Sequence, residues 1–308
     1  MIQPLSPSPS SPSSPSSPSS APAPTPYADL AGWIGRSQTA HDSITAAPLI
    51  ALAATLDHPA AAVQAGDVLP PLWHWLYFLP MHRQSEIGPD GHRRRGGFLP
   101  PVPLPRRMWA GSQFEFRSPV RVGDTVTRHS TIEDVSTKHG RSGTLVFVKV
   151  RHELFCNGAL LPALVEVYDI VYREAQQPGD VTPPPQPAPP SAAWQRQIVP
   201  EAVLLFRYSA LTFNGHRIHY DRPYVTEVEG YPGLVVHGPL IATLLLDLLR
   251  RELPGAELAS FRFKAVRPTF DLNAFRVSAA LLPDGKTVHL WAQDHQGWLT
   301  MDASATLR

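Results

Sequence analysis

The sequence is poor in cysteine. Among 308 residues there is one, Cys156, which excludes an internal disulfide and any zinc site built on cysteines. Net charge is also scarce: 27 Lys and Arg stand against 26 Asp and Glu, leaving +1. A protein whose main work is to coat nucleic acid or an anionic bilayer carries a larger basic excess. Long apolar runs are missing too. The most apolar stretch, residues 233–249, contains His237 and Asp247 and is shorter than the ~20 apolar residues that cross a bilayer. The first segment has no basic residue before Arg36 and no apolar core, so it reads neither as a secretory signal nor as a transit peptide. No glycine-rich phosphate loop, nucleophile elbow or dinucleotide fingerprint occurs. The expectation is a soluble, cytoplasmic chain with no nucleic-acid or membrane partner.

Proline is abundant, at 35 residues, about twice the usual ~5%. The excess is local. Nine prolines and ten serines fall within residues 1–26, a composition that cannot bury enough surface to offset its ordering entropy. Seven more prolines lie between Pro178 and Pro190, as in a stiff polyproline linker. These boundaries divide the chain into a disordered Pro/Ser-rich tail, 1–27, a first half, 28–175, a linker, 176–192, and a second half, 193–308.

The two halves share a pattern. Phe114, Phe116, Arg117 and Asp124 are followed 147 positions later by Phe261, Phe263, Lys264 and Asp271. Both sets lead into stretches that alternate apolar and polar residues, the signature of half-buried strands. In the first half these are 125–135, 144–154 and 164–172, and in the second 274–282, 287–294 and 299–307. Pro239–Leu249 is apolar almost all round, which suits a helix inside a core. Gly238 before Pro239 is a favourable helix start. Pro71–Leu79 takes the same place in the first half. A buried helix followed by an antiparallel sheet, twice over, is an α+β tandem repeat.

The chemistry concentrates in residues 208–221 and 229–239. Asn214 and His219 are spaced to converge on one water, and an imidazole can take and return a proton near neutral pH. The Gly238 N–H at the start of a buried helix would favour developing negative charge. His216 and His219 form H-x-x-H, but with no cysteine and no matching carboxylate pair the expectation is no metal. His237 is expected to support the helix-start turn.

This segment resembles the hydratase motif of the MaoC-like, hot-dog-fold enoyl-CoA hydratases, which reads Ser-Gly-Asp-x-Asn-Pro-Leu-His, followed by an apolar-His-Gly step into the central helix. Thr212 stands at the motif's Ser, Asn214 at its Asp, His216 at its Asn, Ile218 at its Leu and His219 at its His. Val236-His237-Gly238 matches the later step. Residues 213–221, 231–239, 73–78 and 96–109 look like the branch that holds mesaconyl-C4-CoA (3-methylfumaryl-CoA) hydratase and the mitochondrial-type 3-hydroxyacyl-thioester dehydratases. The resemblance covers nearly all of 28–308 and implies a tandem (double) hot-dog fold.

It also implies a hydro-lyase that adds water reversibly to an α,β-unsaturated acyl-CoA without a cofactor. A C5 dicarboxylic acyl group is implied, such as mesaconyl-C4-CoA or itaconyl-CoA going to citramalyl-CoA. His219, Asn214 and Gly238 are the catalytic set. Arg217 and Arg222 are the candidates for the free carboxylate, with Tyr208, His216 and Asp221 as further substrate-binding residues. Arg83, Arg93–Arg95, Arg106 and Arg107 could instead meet that carboxylate or CoA phosphates. One departure matters, since Asn214 cannot titrate as the family's Asp does. Aligning Thr55 with Thr212 places Asp57 at Asn214 and Ala62 at His219, which implies one active site per chain, in the second half, with the first half degenerate. The alternatives are a 3-hydroxyacyl-ACP dehydratase, a hot-dog thioesterase and a non-catalytic acyl-CoA-binding protein. A homodimer is compatible with each.

Overall fold

The computed structural model describes residues 27, 29–59, 62–140, 143–175 and 184–308. The Pro/Ser-rich tail before residue 27 and the part of the expected linker at 176–183 lie outside them. Among the described residues no helix is long and apolar enough to cross a membrane.

The alternating stretches are strands. In the first half they are β1 (Ser37–Ser43), β2 (Arg106–Phe116), β3 (Thr125–Gly140), β4 (Gly143–Cys156) and β5 (Leu164–Arg173). In the second half they are β6 (Trp194–Ile198), β7 (Leu258–Ala265), β8 (Phe275–Leu281), β9 (Thr287–Gln293) and β10 (Leu299–Leu307). All ten form one antiparallel sheet in the order β1-β3-β4-β5-β2-β7-β10-β9-β8-β6. The two halves meet where β2 pairs with β7, and Phe114 lies directly opposite Phe261. The two residues related by the 147-residue offset are therefore partners across the seam, as in two copies joined about a local two-fold axis. Gly111 lets the strands close there, because a Cβ would sit 2.3 Å from the Phe263 carbonyl oxygen.

There are three α-helices, α1 (Ala46–Thr55), α2 (Ala202–Leu211) and α3 (Gly238–Glu252); α1 and α2 pack on each other, and α3 packs on the sheet. Every residue of α3 from Leu240 to Leu249 is buried, as its all-round apolar sequence requires. It packs against β8, β6, β9 and β10, where alternate residues such as Val277, Ala279, Val288 and Leu290 are buried. The expected counterpart over Pro71–Leu79 is only a 3₁₀ turn, Trp73–Leu76. Leu72 and Phe78 take left-handed backbone angles, φ +69° and +53°, which stop a helix on both sides. Bulky aromatics and the proline after Leu79 work in the same direction.

The two shorter helices correct the alignment of the halves. After α1, Leu56 N–H bonds Leu52 O and His58 N–H bonds Ala53 O. After α2, Thr212 N–H bonds Tyr208 O and Asn214 N–H bonds Ser209 O. Asp57 and Phe213, at φ +58° and +49°, occupy the same turn. The structural counterpart of Asn214 is thus His58, not Asp57; matching the threonines shifts the register by one.

His58 serves a structural purpose. Its Nε2 lies 2.5 Å from Oδ1 of Asp247, a buried carboxylate on α3 that also meets Arg196, Arg250 and Arg251 at 2.8–3.1 Å. Arg251 additionally donates to Leu56 O at 2.7 Å, so the cluster ties α3 to the end of α1. Burial works to raise the Asp247 carboxyl, but the hydrogen bonds from Arg251 and His58 outweigh it and hold the group below the usual carboxylate range. Its stabilising contribution is present above the ordinary carboxylate pKa and lost as pH falls through the depressed value. Asp247→Ala leaves three guanidinium groups uncompensated and is expected to cost about 3–5 kcal/mol, read as a lowered midpoint in chemical denaturation at neutral pH.

Candidate active site

One cavity of about 1180 Å³ opens between the two halves and is lined by both. From the second half it takes Tyr208, Asn214, His216, His219 and Gly238. From the first half it takes the 88–100 loop, Arg106, Arg107, Trp109 and a buried group around Glu166.

The end of α2 sets the position of Asn214. The chain reverses through Phe213 in the left-handed region, which is costly for a bulky residue. The Asn214 side-chain oxygen then accepts the His216 N–H at 3.0 Å. This Asx turn aims the chain into a short 3₁₀ turn, Arg217–His219.

His219 is buried, at 8% exposure, and its ring is fixed on both sides. Its Nδ1 lies 2.7 Å from the Val235 carbonyl oxygen. A carbonyl only accepts, so Nδ1 carries the proton and Nε2 keeps its lone pair. The ring stacks on His237 at 3.7 Å and 18°. Burial, and more weakly the charge of His92, lower the His219 pKa to about 4, against the Val235 bond, which raises it. The group is therefore a neutral imidazole across the physiological range.

His237 caps α3, with Nε2 2.8 Å from Ser209 Oγ. It is fully buried, and burial holds it well below the ordinary histidine pKa. Gly238 follows as the first residue of α3. A first-turn N–H has no acceptor within its helix. A Cβ on Gly238 would meet nothing within 4 Å, so the glycine leaves open space beside that N–H rather than relieving a clash within the protein.

The other expected site residues divide. Tyr208 lines the cavity and its ring abuts His237 at 5.1 Å. Arg217 lines it too, but its guanidinium is engaged by Asp221 at 2.7 Å and by the Pro89 carbonyl at 2.9 Å, and lies over the Tyr224 ring. Asp221, expected to bind substrate, is not among the lining residues; it accepts from Arg217 and from the Tyr224 N–H. Arg222 and Arg83 do not line the cavity either. Arg222 is half exposed and paired with Asp271. Neither Arg217 nor Arg222 thus has a guanidinium free to receive a carboxylate.

A loop of the first half enters the site. The Asp90 carbonyl accepts the Arg217 N–H at 2.9 Å. At Gly91, φ +88°, a Cβ would stand 1.8 Å from the Gly215 carbonyl oxygen. This close backbone contact brings the His92 ring to 3.9 Å from that of His216. His92 Nδ1 lies 3.0 Å from Asp90 Oδ2. Burial works to raise the Asp90 carboxyl, but the bond and charge of His92 hold it well below the usual range. Burial also pushes the His216 pKa down, to about 2, aided by the charges of His92 and His219. Asp90, His92 and His216 could offer one ligand atom each to a metal, all within 4.8 Å of one another; Asp90 and His92 are already joined by a hydrogen bond. Sequence reasoning missed Asp90 and His92, for which the only local signal is an acid and an imidazole around a glycine.

On the far wall, Glu166 is buried and accepts from His74 Nε2, Trp75 Nε1 and Ser112 Oγ at 3.2–3.3 Å. Burial would raise its carboxyl, yet these donors, His74 foremost, hold it below the usual range. The first half thus contributes a rigid polar and aromatic wall.

Comparison with known proteins agrees with this architecture. A family model, hydroxyacyl-thioester dehydratase type 2, matches residues 72–271. A mesaconyl-C(4)-CoA hydratase of Chloroflexus aurantiacus is 47% identical over 283 residues, 91% of this chain and 98% of that protein. Among solved structures, a MaoC-like dehydratase of Phytophthora capsici superposes with a TM-score of 0.62 at 14% identity, covering 91% of this chain and 97% of the other. A Mycobacterium tuberculosis protein described as a double hot-dog fold gives 0.53 at 13%, covering 89% and 96%. This chain, with the tandem hot-dog fold, belongs to the hydroxyacyl-thioester dehydratase type 2 family.

Proposed function

We propose that this protein is a hydratase that adds water reversibly to an α,β-unsaturated acyl-CoA thioester. The observation that carries the reading is the fixed tautomer of His219, in a cavity that also exposes the start of α3. His219 Nε2 takes a proton from water as the water oxygen attacks the β-carbon. Electron density moves to the thioester oxygen, and the Gly238 N–H receives that enolate-like charge, where one fixed donor is worth about 3–4 kcal/mol. The imidazolium then returns its proton to the α-carbon and is neutral again. The low pKa of His219 suits this second step, since a poorly basic imidazole gives up its proton readily. His237, stacked against the ring, restricts its tilt.

For the acyl group we infer mesaconyl-C4-CoA, hydrated to citramalyl-CoA, from the relative that shares 47% identity. This thioester carries a methyl and a carboxylate on its β-carbon, the carbon attacked. Asn214 lines the same cavity and orients the water or the new hydroxyl without titrating. The substrate itself is the only CoA group the scheme needs.

An absorbance assay tests the reading: mesaconyl-C4-CoA should lose its conjugated-thioester absorbance without release of free thiol, whereas thiol release would indicate a thioesterase. His219→Ala should lower kcat by about 10²–10⁴-fold with the far-ultraviolet circular dichroism retained. The acid limb of kcat/KM for the wild type should fall near pH 4, not near the ordinary histidine value of about 6.5, because activity requires the unprotonated imidazole. Asn214→Asp preserves the acceptor for the His216 N–H and should retain turnover while adding a second ionisation to the pH profile; complete inactivity would show that the uncharged amide is itself required.

A further inference from the structure

Asp90, His92 and His216 form a cluster that the proposed reaction does not use. Each can offer one ligand atom, and those atoms lie within 4.8 Å of one another. They come from both halves: Asp90 and His92 from the loop of the first, His216 from the turn that follows α2. Two imidazole nitrogens and one carboxylate oxygen are a ligand set that zinc and the neighbouring divalent transition ions accept. Magnesium and calcium, which take oxygen ligands, match it poorly.

The backbones that carry the three donors are already locked together. Arg217 N–H donates to Asp90 O at 2.9 Å, and Arg217 Nη1 donates to Pro89 O at 2.9 Å. Gly91 and Gly215 touch with no room for a Cβ between them. Within the loop, Gly88 N–H donates to His92 O at 2.7 Å, and Asp90 Oδ1 accepts the His92 N–H at 3.0 Å. That bond leaves Oδ2 facing His92 Nδ1 at 3.0 Å. Zinc bonds of about 2.0–2.2 Å at a tetrahedral angle put neighbouring ligand atoms about 3.3 Å apart, so this pair stands close to the spacing of two corners. The donors are reachable as well. The side chains of Asp90 and His92 are 41% and 25% exposed. Among the described residues the His216 ring has no hydrogen-bond partner, and neither of its nitrogens is shut off from solvent. The charge of Arg107 opposes a cation at this place, while Asp90 and Glu229 favour one.

We propose that Asp90, His92 and His216 form a site for a divalent transition ion such as zinc, which clips the first-half loop to the second half. The ion takes the place of the proton between Asp90 and His92. It bonds to Asp90 Oδ2, His92 Nδ1 and one nitrogen of His216, and the Nδ1 proton passes to the buffer. Water fills the fourth position, as in zinc sites with three protein ligands. Neither the assembly of this site nor its test depends on the hydratase reading.

The test titrates zinc chloride into the full chain, stripped of metal beforehand, and follows uptake by calorimetry. The wild type should bind zinc at a site that His92→Ala and His216→Ala each weaken by about 10²-fold or more, beyond what loss of an outer-shell partner costs. Asp90→Asn should weaken it less, and magnesium chloride should not compete. Cobalt chloride should give the visible absorption of a four-coordinate ion, lost in His216→Ala. His216→Asn gives the same readings should His216→Ala fail to fold. Because the ligands come from both halves, zinc should also slow tryptic cleavage after the exposed Arg93 and Arg94 in the wild type and not in His216→Ala. Zinc uptake that His92→Ala and His216→Ala leave unchanged would place the ion on other histidines, and a loss in His92→Ala alone would confine it to the loop. Either result overturns the proposal, as does a wild type that takes up no zinc.

Discussion

A single hydrogen bond, from His219 Nδ1–H to the Val235 carbonyl, determines the chemistry available to this site. It fixes which ring nitrogen keeps a lone pair. The carbonyl belongs to the segment that runs through Val236 and His237 into the buried helix at Gly238. The lone pair of His219 Nε2 and the Gly238 N–H are consequently positioned by one stretch of chain. That stretch is anchored in turn by Thr269 and by the stacking of His237 on His219. A shift of the helix start would move both groups together, and their relative geometry would survive.

The tandem repeat has diverged by exchanging roles at equivalent positions. After α2, the turn presents Asn214 to the cavity; after α1, the same turn presents His58 to Asp247. One half has a long central helix, while the other has in its place the 3₁₀ turn Trp73–Leu76 and a long loop. That loop crosses to the second half and inserts His92 beside His216, through a backbone approach that only glycines at 91 and 215 permit. The first half has a 3₁₀ turn where the second has its helix start, and it supplies one wall of the shared cavity. The buried Asp247 cluster keeps the helix that carries Gly238 registered against the first half.

Much of the fold is legible in the sequence because its strands bury one face. Val277, Ala279, Val288 and Leu290 mark their strands by alternation alone, and the apolar run after Gly238 has to be an interior helix. The edge strand β1 is not legible, since Ser37–Ser43 is polar and mostly exposed on both faces. Of the site, His219 and Gly238 are readable as a motif, but the role of each arginine is not. Arg222 is committed to Asp271, far away in sequence. Arg217 was the readable case: Asp221 four residues on, across a helical turn, is a standard ion-pair spacing.

In the proposed reaction one imidazole and one helix-start N–H act on opposite parts of the same conjugated thioester. A crystal structure of the His219→Gln variant with mesaconyl-C4-CoA tests this most directly. The thioester oxygen should lie within hydrogen-bond distance of the Gly238 nitrogen, with the β-carbon facing the side chain at position 219 across a space that admits one water. A thioester bound with its carbonyl directed away from α3, or with its β-carbon out of reach of residue 219, would contradict it.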